Sequence, residues 1–170
     1  MFSVNCIHVD TNVLLDPRNL RNLLRKCRNR QFKIKISPFA LTEFIIKYAE
    51  YINRKRKELL SYPIISHPDP LNELLNGMME GLVDVFIIKN EELSDFLKYI
   101  NELQSEILWL SPSDVLIMAS ALADKECNGF MTLDKKILRS IRDPKSKIKE
   151  VFIRAGKYFY NEELEHISFN

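Results

Sequence analysis

The sequence has few glycines, and this shortage excludes several classes of protein. Only four of its 170 residues are glycine, which argues against a turn-rich all-β fold. The phosphate-binding patterns G-x-x-x-x-G-K and G-x-G-x-x-G are both absent from it. Long apolar runs are missing as well, since the longest are far shorter than a membrane span. We therefore expect a globular protein without a glycine-rich phosphate-binding loop.

Cysteine is also scarce. The three cysteines, Cys6, Cys27 and Cys127, form no close pair in the sequence. An odd number without a close pair is not typical of a disulfide framework, and no Cys or His pair has the spacing of zinc ligands. The N-terminus lacks the features of a secretory signal peptide. We therefore expect reduced thiols in a cytoplasmic protein.

Charge is nearly balanced overall, at +2, but is distributed unevenly along the chain. Residues 18–57 contain 13 Lys or Arg and two acids, whereas the rest contains 12 and 21. Such asymmetry favours a polyanionic partner, although a solvated basic helix face would have the same composition. The candidate phosphate contacts are Arg21, Arg25 and Arg28, which share one helix face, and the run Arg54, Lys55, Arg56 and Lys57.

Short apolar runs alternate with amphipathic segments, which predicts an α/β fold with a parallel sheet covered by helices. We expect one domain over residues 1–170, with a basic helical and proline-rich elaboration at about 47–80. The predicted strands are 4–9, 32–36, 82–88 and 129–133, with 149–154 as a candidate last strand. The predicted helices are 17–29, 38–60, 71–80, 91–108, 111–126 and 134–142, and the proline-rich stretch 61–70 is predicted as a loop.

Four carboxylates occur where a predicted strand ends or a predicted helix begins, and in a parallel sheet such places converge on one edge. Their mutual repulsion requires a cation, and oxygen ligands suit Mg²⁺ or Mn²⁺. Such a cluster can bind phosphate oxygens and activate a water for attack on phosphorus. The predicted ligands and catalytic residues are Asp10, Glu43, Asp114 and Asp134.

Three of these acids also have a purely structural explanation. Asp114 completes an S-x-x-D capping box with Ser111. Asp134 fits the N-cap of its helix, and Asp10 could be a turn former. Glu43 is harder to explain in this way, because it lies too far into its helix to act as a cap. For any one of these acids considered alone, the structural explanation stays open. The presence of all four together favours a functional site.

Short polar residues beside the acids are candidate supporting groups. Asn12 could fix Asp10 by hydrogen bonding, and Thr132 could orient a carboxylate, with ordinary turn chemistry as the alternative. His8 is expected to be a core residue and not a ligand. For Trp109, a buried anchor is favoured over an RNA-stacking surface.

Taken together, four short motifs resemble those of the PIN-domain ribonuclease family. The resemblance covers roughly residues 4–140. The motifs are Asp10-Thr11-Asn12 after the first strand, Glu43 in the helix after the second, DVLIMASALA from Asp114, and Thr132-Leu133-Asp134 after the strand at 129–133.

The resemblance implies a Rossmann-like three-layer α/β/α sandwich and an Mg²⁺- or Mn²⁺-dependent phosphodiesterase site, with RNA as the substrate. Many family members are toxins of toxin–antitoxin pairs and usually dimerise. It therefore also implies a homodimer and an antitoxin or other protein partner. The long separation between Glu43 and Asp114 also fits RNA-processing members of the family.

Two alternative functions stay open beside a metal-dependent ribonuclease. A haloacid-dehalogenase-type phosphatase also has Asp at the end of its first strand, but it needs a second Asp where this chain has Asn12. A non-catalytic PIN-like module that binds RNA or protein would be marked by loss of acids, and all four are present here. We therefore expect a ribonuclease.

Overall fold

A five-stranded parallel sheet flanked by helices forms the centre of the protein, with strand order β3-β2-β1-β4-β5. The computed structural model describes residues 6–30, 32–59, 69–143 and 145–161, and only the backbone of residues 56–59. The strands are β1 Cys6–Val9, β2 Lys33–Ile36, β3 Val83–Val85, β4 Gly129–Met131 and β5 Tyr158–Phe159. The helices are α1 Thr11–Leu15, α2 Pro17–Arg30, α3 Pro38–Leu59, α4 Pro70–Met79, α5 Asn90–Glu106, α6 Pro112–Ala123, α7 Lys135–Arg142 and α8 Lys147–Arg154.

The predicted α/β class is confirmed, and most predicted elements lie within a few residues of the observed ones. The short helix α1, which begins directly after the first strand, was not predicted. Most of the predicted loop at 61–70 lies outside the described residues. Among the described helices, none combines the length and apolar content that a bilayer crossing requires.

The predicted strand at 149–154 is wrong, because these residues belong to α8. Ser146 caps this helix by accepting a hydrogen bond from the Lys149 amide at 3.3 Å. Ile148, Val151 and Phe152 are buried at helical spacing. The chain then turns at Gly156, whose φ of 69° is in the left-handed region, before β5 begins.

The central strand β1 sets how closely its neighbours approach. Ile7 is fully buried and lies opposite Ile34 of β2 and Gly129 of β4. A Cβ at Gly129 would lie 2.9 Å from a side-chain carbon of Ile7 and 2.9 Å from the Tyr160 ring. Gly129 therefore permits the close contact between β4, β1 and the segment after β5.

The expectation of three reduced thiols is wrong for two of them. Cys6 at the start of β1 and Cys127 just before β4 form a disulfide, with their Cα atoms 5.0 Å apart. The two residues are 121 positions apart in sequence, and parallel pairing of β1 with β4 brings them together. Cys27 is a free thiol, and its burial raises its pKa to about 12.

A buried ion network joins the α6–β4 loop to the sheet. The Oδ2 atom of Asp124 accepts hydrogen bonds from His8 of β1 and Lys35 of β2, each at 2.8 Å. Its Oδ1 atom accepts from the Glu126 amide, and the buried Lys157 donates to the Asp124 main-chain carbonyl. Asp124 is fully buried, so these donors replace the water that its carboxylate would otherwise bind.

Burial and hydrogen bonding act in opposite directions on the pKa values in this network. Burial opposes the ionised form of Asp124, but hydrogen bonds from His8 and Lys35 outweigh it and hold the pKa of Asp124 well below its usual value. Burial lowers the pKa of His8 despite the hydrogen bond to Asp124, so the imidazole is neutral near pH 7. Lys35 is therefore the cation that balances Asp124 most directly.

We expect Asp124→Ala to lower the free energy of unfolding by about 3–5 kcal/mol, because it removes the fully buried carboxylate that the buried His8 and the partly buried Lys35 share. Urea denaturation measures this change. Asp84→Ala is the matched control, since Asp84 pairs with Lys33 at the surface and should cost no more than about 1 kcal/mol.

The same network should make the protein sensitive to acid. The pKa of Asp124 is lower in the folded protein than in the unfolded chain, so its ionised carboxylate stabilises the fold at neutral pH. This contribution should be lost as the pH falls below about 4, the pKa of an aspartate in the unfolded chain. Asp124→Asn should show a weaker dependence of stability on pH in that range. An equal dependence in wild type and variant would contradict this assignment.

Candidate active site

The candidate site lies where the adjacent strands β1 and β4 end. Asp10 follows β1 directly, and its main-chain amide donates to the Met131 carbonyl of β4 at 3.0 Å. Thr132 follows Met131, so the two strand ends deliver Asp10 and Thr132 side by side. This is the carboxyl edge of the sheet, where parallel α/β folds place their sites.

Asp10 is a buried carboxylate, 4% exposed, that is held by three donors. Its Oδ1 atom accepts from the Thr11 amide at 2.7 Å, which makes Asp10 the N-cap of α1. Its Oδ2 atom accepts from the Asn12 side-chain amide at 2.9 Å and the Thr132 hydroxyl at 2.7 Å. Both oxygens are therefore fixed in position.

The D-x-N and T-x-D motifs interlock through further hydrogen bonds. The Oδ1 atom of Asn12 accepts from the Leu133 amide at 2.8 Å. The Thr132 hydroxyl accepts from the Asp134 amide at 3.0 Å. The two predicted supporting residues, Asn12 and Thr132, thus connect the end of β1 to the turn that leads into α7.

Glu43 reaches the same region from α3. Its Oε2 atom accepts hydrogen bonds from the hydroxyls of Thr11, at 3.2 Å, and Ser113. Its Oε1 atom forms an ion pair with Lys47, one helical turn further along α3. Glu43 does not cap α3, because Ser37 does so by accepting from the Ala40 amide. Glu43 therefore connects α1, α3 and α6 at the site.

Asp114 and Asp134 both act as helix caps. Ser111 and Asp114 form a reciprocal capping box at the start of α6. The Oδ1 atom of Asp134 accepts from the amides of Lys136 and Ile137 at the start of α7. Their structural explanations are therefore correct, but each cap still holds its carboxylate at the edge of the sheet where Asp10 lies.

Electrostatic coupling shows which acids interact. Burial raises the pKa of Asp10, and the charges of Asp114 and Glu43 raise it further, against hydrogen bonds from Thr132 and Thr11. Burial also acts to raise the pKa of Glu43, but its bonds with Lys47 and Ser113 outweigh this effect and lower it. Of these two acids, Asp10 is therefore the one whose surroundings oppose its ionised form.

The donor set fits a divalent cation in chemistry, although the carboxylates are not gathered around one point. Within the described part of the chain, no three of the four acids have oxygens within 4.8 Å of one another. Carboxylate oxygens are nevertheless the ligands that Mg²⁺ and Mn²⁺ prefer. The raised pKa of Asp10 marks a place where a bound cation would relieve repulsion.

One other cluster of possible ligands, Cys6, Asp124 and Cys127, has donor atoms within 4.8 Å. Its two sulfurs are joined to each other, and the Asp124 carboxylate is bound by Lys35. An ammonium already occupies the place that a cation would need. This cluster is therefore structural.

Two residues of the site were missed in the sequence. Ser113 donates to Glu43, and Lys47 pairs with it. The i,i+4 spacing of Glu43 and Lys47 could have indicated the ion pair. No local signal could have indicated Ser113, because it meets Glu43 across 70 residues of sequence.

The residues predicted to contact phosphates differ in how much of their charge is already paired within the protein. Arg21 and Arg28 of α2 form ion pairs with Glu73 and Glu80 of the α4 region, so much of their charge is already balanced. Arg25 is exposed and bonds Asn22. Arg54 and Lys55 extend from α3, whereas the side chains of Arg56 and Lys57 lie outside the described residues. All of these contacts stay predictions.

The prediction that Trp109 is a buried anchor is wrong. Its side chain is 38% exposed just before α6, and the Lys136 ammonium lies 4.5 Å from its ring centroid. His8, by contrast, is a buried residue of the sheet that bonds Asp124, as predicted for a core residue.

Comparisons with known proteins bear on the fold. No family model matches the chain, and no curated protein matches it either. The VapBC2 structure from Rickettsia felis, bound to a DNA fragment from its promoter, has a TM-score of 0.51 at 16% identity over 79% of this chain and 92% of that chain. FitAcB from Neisseria gonorrhoeae has a TM-score of 0.46 at 14% identity, covering 92% and 98% of the two chains. The parallel α/β architecture is consistent with the fold of the VapBC2 structure.

We expect Thr132→Val to raise the pKa of Asp10 further, because the lost hydroxyl donates to the ionised carboxylate. A ¹³C NMR titration of the Asp10 carboxyl carbon measures this change. The substitution should also lower the free energy of unfolding by about 1–3 kcal/mol, since it removes a donor to a buried acceptor.

The matched control is Thr42→Val. The Thr42 hydroxyl donates to the Pro38 carbonyl on the exposed side of α3. Its loss should leave the titration of Asp10 unchanged and should change the free energy of unfolding by no more than about 0.5 kcal/mol. If Thr132→Val left the Asp10 titration unchanged, the hydroxyl would not be what stabilises the ionised form.

Proposed function

We propose that the chain is a divalent-metal-dependent ribonuclease that hydrolyses RNA phosphodiester bonds at the edge of the sheet formed by β1 and β4. The observation that carries this proposal is the buried carboxylate of Asp10, whose pKa is raised by burial and by the charges of Asp114 and Glu43. A buried, poorly compensated acid at the carboxyl end of a parallel strand is typical of a functional site.

The acids Asp10, Glu43 and Asp114 would hold Mg²⁺ or Mn²⁺, and Asp134 would complete or orient this set from the start of α7. When bound, such an ion supplies Lewis acidity toward the phosphate and toward an attacking water. Its binding would release protons from the site, because Asp10 has a high proton affinity when no cation is present.

The neighbouring residues position these groups. Thr132 and Asn12 fix Oδ2 of Asp10, and Ser113 and Thr11 fix Oε2 of Glu43. Preorganised ligands avoid the cost of ordering flexible side chains when the site is used. Lys47 provides a positive charge beside Glu43 that could contact a non-bridging oxygen of the scissile phosphate.

RNA is the proposed substrate because of how charge is distributed. A site built from carboxylates repels a polyanion, so cations outside it must supply the attraction. Residues 18–57 carry an excess of 11 positive charges and include Glu43 and Lys47. The basic side chains would hold phosphates along the strand without selecting its bases.

We expect the purified protein to cleave single-stranded RNA in Mg²⁺ or Mn²⁺ and not in EDTA. Asp10→Asn should lower the cleavage rate by about 100-fold or more, because it removes the central charge but keeps the side-chain shape. A gel assay with end-labelled RNA measures the rate. Mn²⁺ should also raise the thermal midpoint of wild type and not of Asp10→Asn.

Asp84→Asn is the matched control for this experiment. Asp84 lies in β3 and pairs with Lys33 at the surface, so its substitution should leave cleavage unchanged. Equal cleavage by Asp10→Asn and wild type would exclude the proposed site. Binding of RNA without cleavage in either metal would instead favour the non-catalytic PIN-like module.

We also propose that the protein acts as a homodimer and with a protein partner, as the resemblance to the PIN-domain family implies; the partner is further supported because the structural neighbours are toxin–antitoxin complexes. Large apolar side chains are exposed on α3 and α5, among them Ile45, Ile46, Leu93 and Leu97. Exposed apolar surface of this kind is typical of interfaces. Leu93 and Leu97 lie one turn apart on α5, so they can contribute to one contact.

We expect sedimentation equilibrium to show a dimer for wild type and a monomer for a Leu93→Asp, Leu97→Asp variant, because buried aspartates would oppose association. Leu108→Asp is the control, since Leu108 is a still more exposed leucine that lies outside both helices. A monomer for the unmodified protein at micromolar concentration would exclude the homodimer.

A further inference from the structure

A groove of about 420 Å³ lies beside the candidate site and has no role in the chemistry described so far. It runs between the end of α1, the middle of α3 and the start of α4. We call it the tyrosine groove. It is lined by Leu15, Lys47, Tyr48, Tyr51, Arg54 and Pro70, among others.

The tyrosine groove adjoins the acidic site through Lys47 and the end of α1. Lys47 lines the groove and also forms an ion pair with Glu43. Leu15 lines it at the end of α1, the helix that Asp10 caps. A strand whose phosphate lies at the carboxylates would therefore reach the groove with its next nucleotide.

Two tyrosine rings form the apolar wall of the groove. The Tyr48 ring stacks on Phe44 at 5.9 Å, and its hydroxyl donates to Asp69 at 2.8 Å, so this ring is fixed. The Tyr51 ring is half-buried, 6.4 Å from Tyr48 and tilted by 37°. Tyr51 can therefore offer a ring face beside a rigid neighbour.

Positively charged side chains lie close to these two rings. Lys47 and Arg54 line the groove against one carboxylate, that of Glu50. The Lys55 ammonium lies 4.8 Å from the Tyr51 ring centroid, which adds positive charge next to the ring. Aromatic faces beside cations are what proteins use to bind unpaired nucleotides, by stacking the bases and holding the phosphates.

We propose that the tyrosine groove binds an unpaired nucleotide next to the scissile phosphate, with its base stacked on Tyr51 and its phosphate at Arg54. This inference rests on the proposed ribonuclease function and specifies its substrate as single-stranded at this position. The volume of the groove lies within the range of about 300–1,000 Å³ that is usual for small-ligand pockets, which leaves room for a base and its sugar.

The positively charged side chains of the groove favour a nucleotide over an apolar peptide. A peptide that filled the groove with apolar side chains would gain little from Lys47 and Arg54. A nucleotide uses both features of the groove, because its base needs the rings and its phosphate needs the cations. A base edge also offers polar groups that can face solvent at the open side.

The test is RNA binding in EDTA, where cleavage cannot occur. Fluorescence anisotropy is measured with labelled oligouridylate and with an abasic ribose-phosphate strand of the same length and charge. We expect wild type to bind oligouridylate about tenfold more tightly than the abasic strand, and Tyr51→Ala to lose most of this difference. Tyr51→Phe should retain it, because the ring remains.

Salt dependence separates the ring from the cation. Tyr51→Ala should leave the slope of log affinity against log salt unchanged, since the ring has no charge. Arg54→Ala should reduce that slope by about 0.7, the value for one phosphate contact on a single strand. Tyr99→Ala is the matched control, because Tyr99 also lies beside a lysine, Lys98, but is on α5.

The outcomes distinguish this inference from the proposed function. If wild type cleaves RNA but Tyr51→Ala keeps the full preference for bases, the inference is overturned and the ribonuclease stands. A loss of preference in Tyr51→Ala without cleavage by wild type would support the groove as an RNA site and contradict the ribonuclease. If wild type binds the abasic strand as tightly as oligouridylate, the groove holds no base and the inference is overturned, even where a variant fails to fold.

Discussion

The hydrogen bond from Thr132 to Asp10 is the contact on which the candidate site depends. A buried carboxylate is costly unless donors replace its water, and Asp10 obtains its donors from two neighbouring strand ends. The same threonine accepts from the Asp134 amide, so one hydroxyl connects β1, β4 and the start of α7. β1 and β4 pair in parallel, so the chain leaves both strands at the same edge of the sheet. The contact between Thr132 and Asp10 therefore also holds the starts of α1 and α7 in place.

The two buried aspartates of this fold show how surroundings assign different roles to the same side chain. Asp124 contacts Lys35, and its pKa is held well below the usual value, so it remains ionised and structural. Asp10 has only neutral donors and two acidic neighbours, and its pKa is raised. The chain itself therefore supplies a cation to Asp124, whereas the donors that bond the Asp10 carboxylate are all neutral.

Sequence patterns could predict the fold class and where the acids lie, because strand ends in a parallel sheet share an edge whatever the details of packing. They could not separate a helix from a strand at 149–154, where KEVFIR is a short apolar run between charged residues that also matches helical spacing; the Ser146 cap and Gly156 decide it. The disulfide of Cys6 with Cys127 and the contact of Ser113 with Glu43 depend on tertiary structure alone.

Helix capping and metal binding are compatible roles for Asp114 and Asp134. An ionised carboxylate has about four acceptor positions, and each cap uses only part of them: Asp114 bonds Ser111 through Oδ2, and Asp134 bonds two amides through Oδ1. The caps hold both side chains in one orientation before any ligand arrives, so less conformational entropy would be lost on binding. The positive end of each helix also stabilises an ionised acid when no cation is bound. A fold that begins helices at the edge of its sheet can thus hold carboxylates along that edge, because the helix ends offset part of their repulsion.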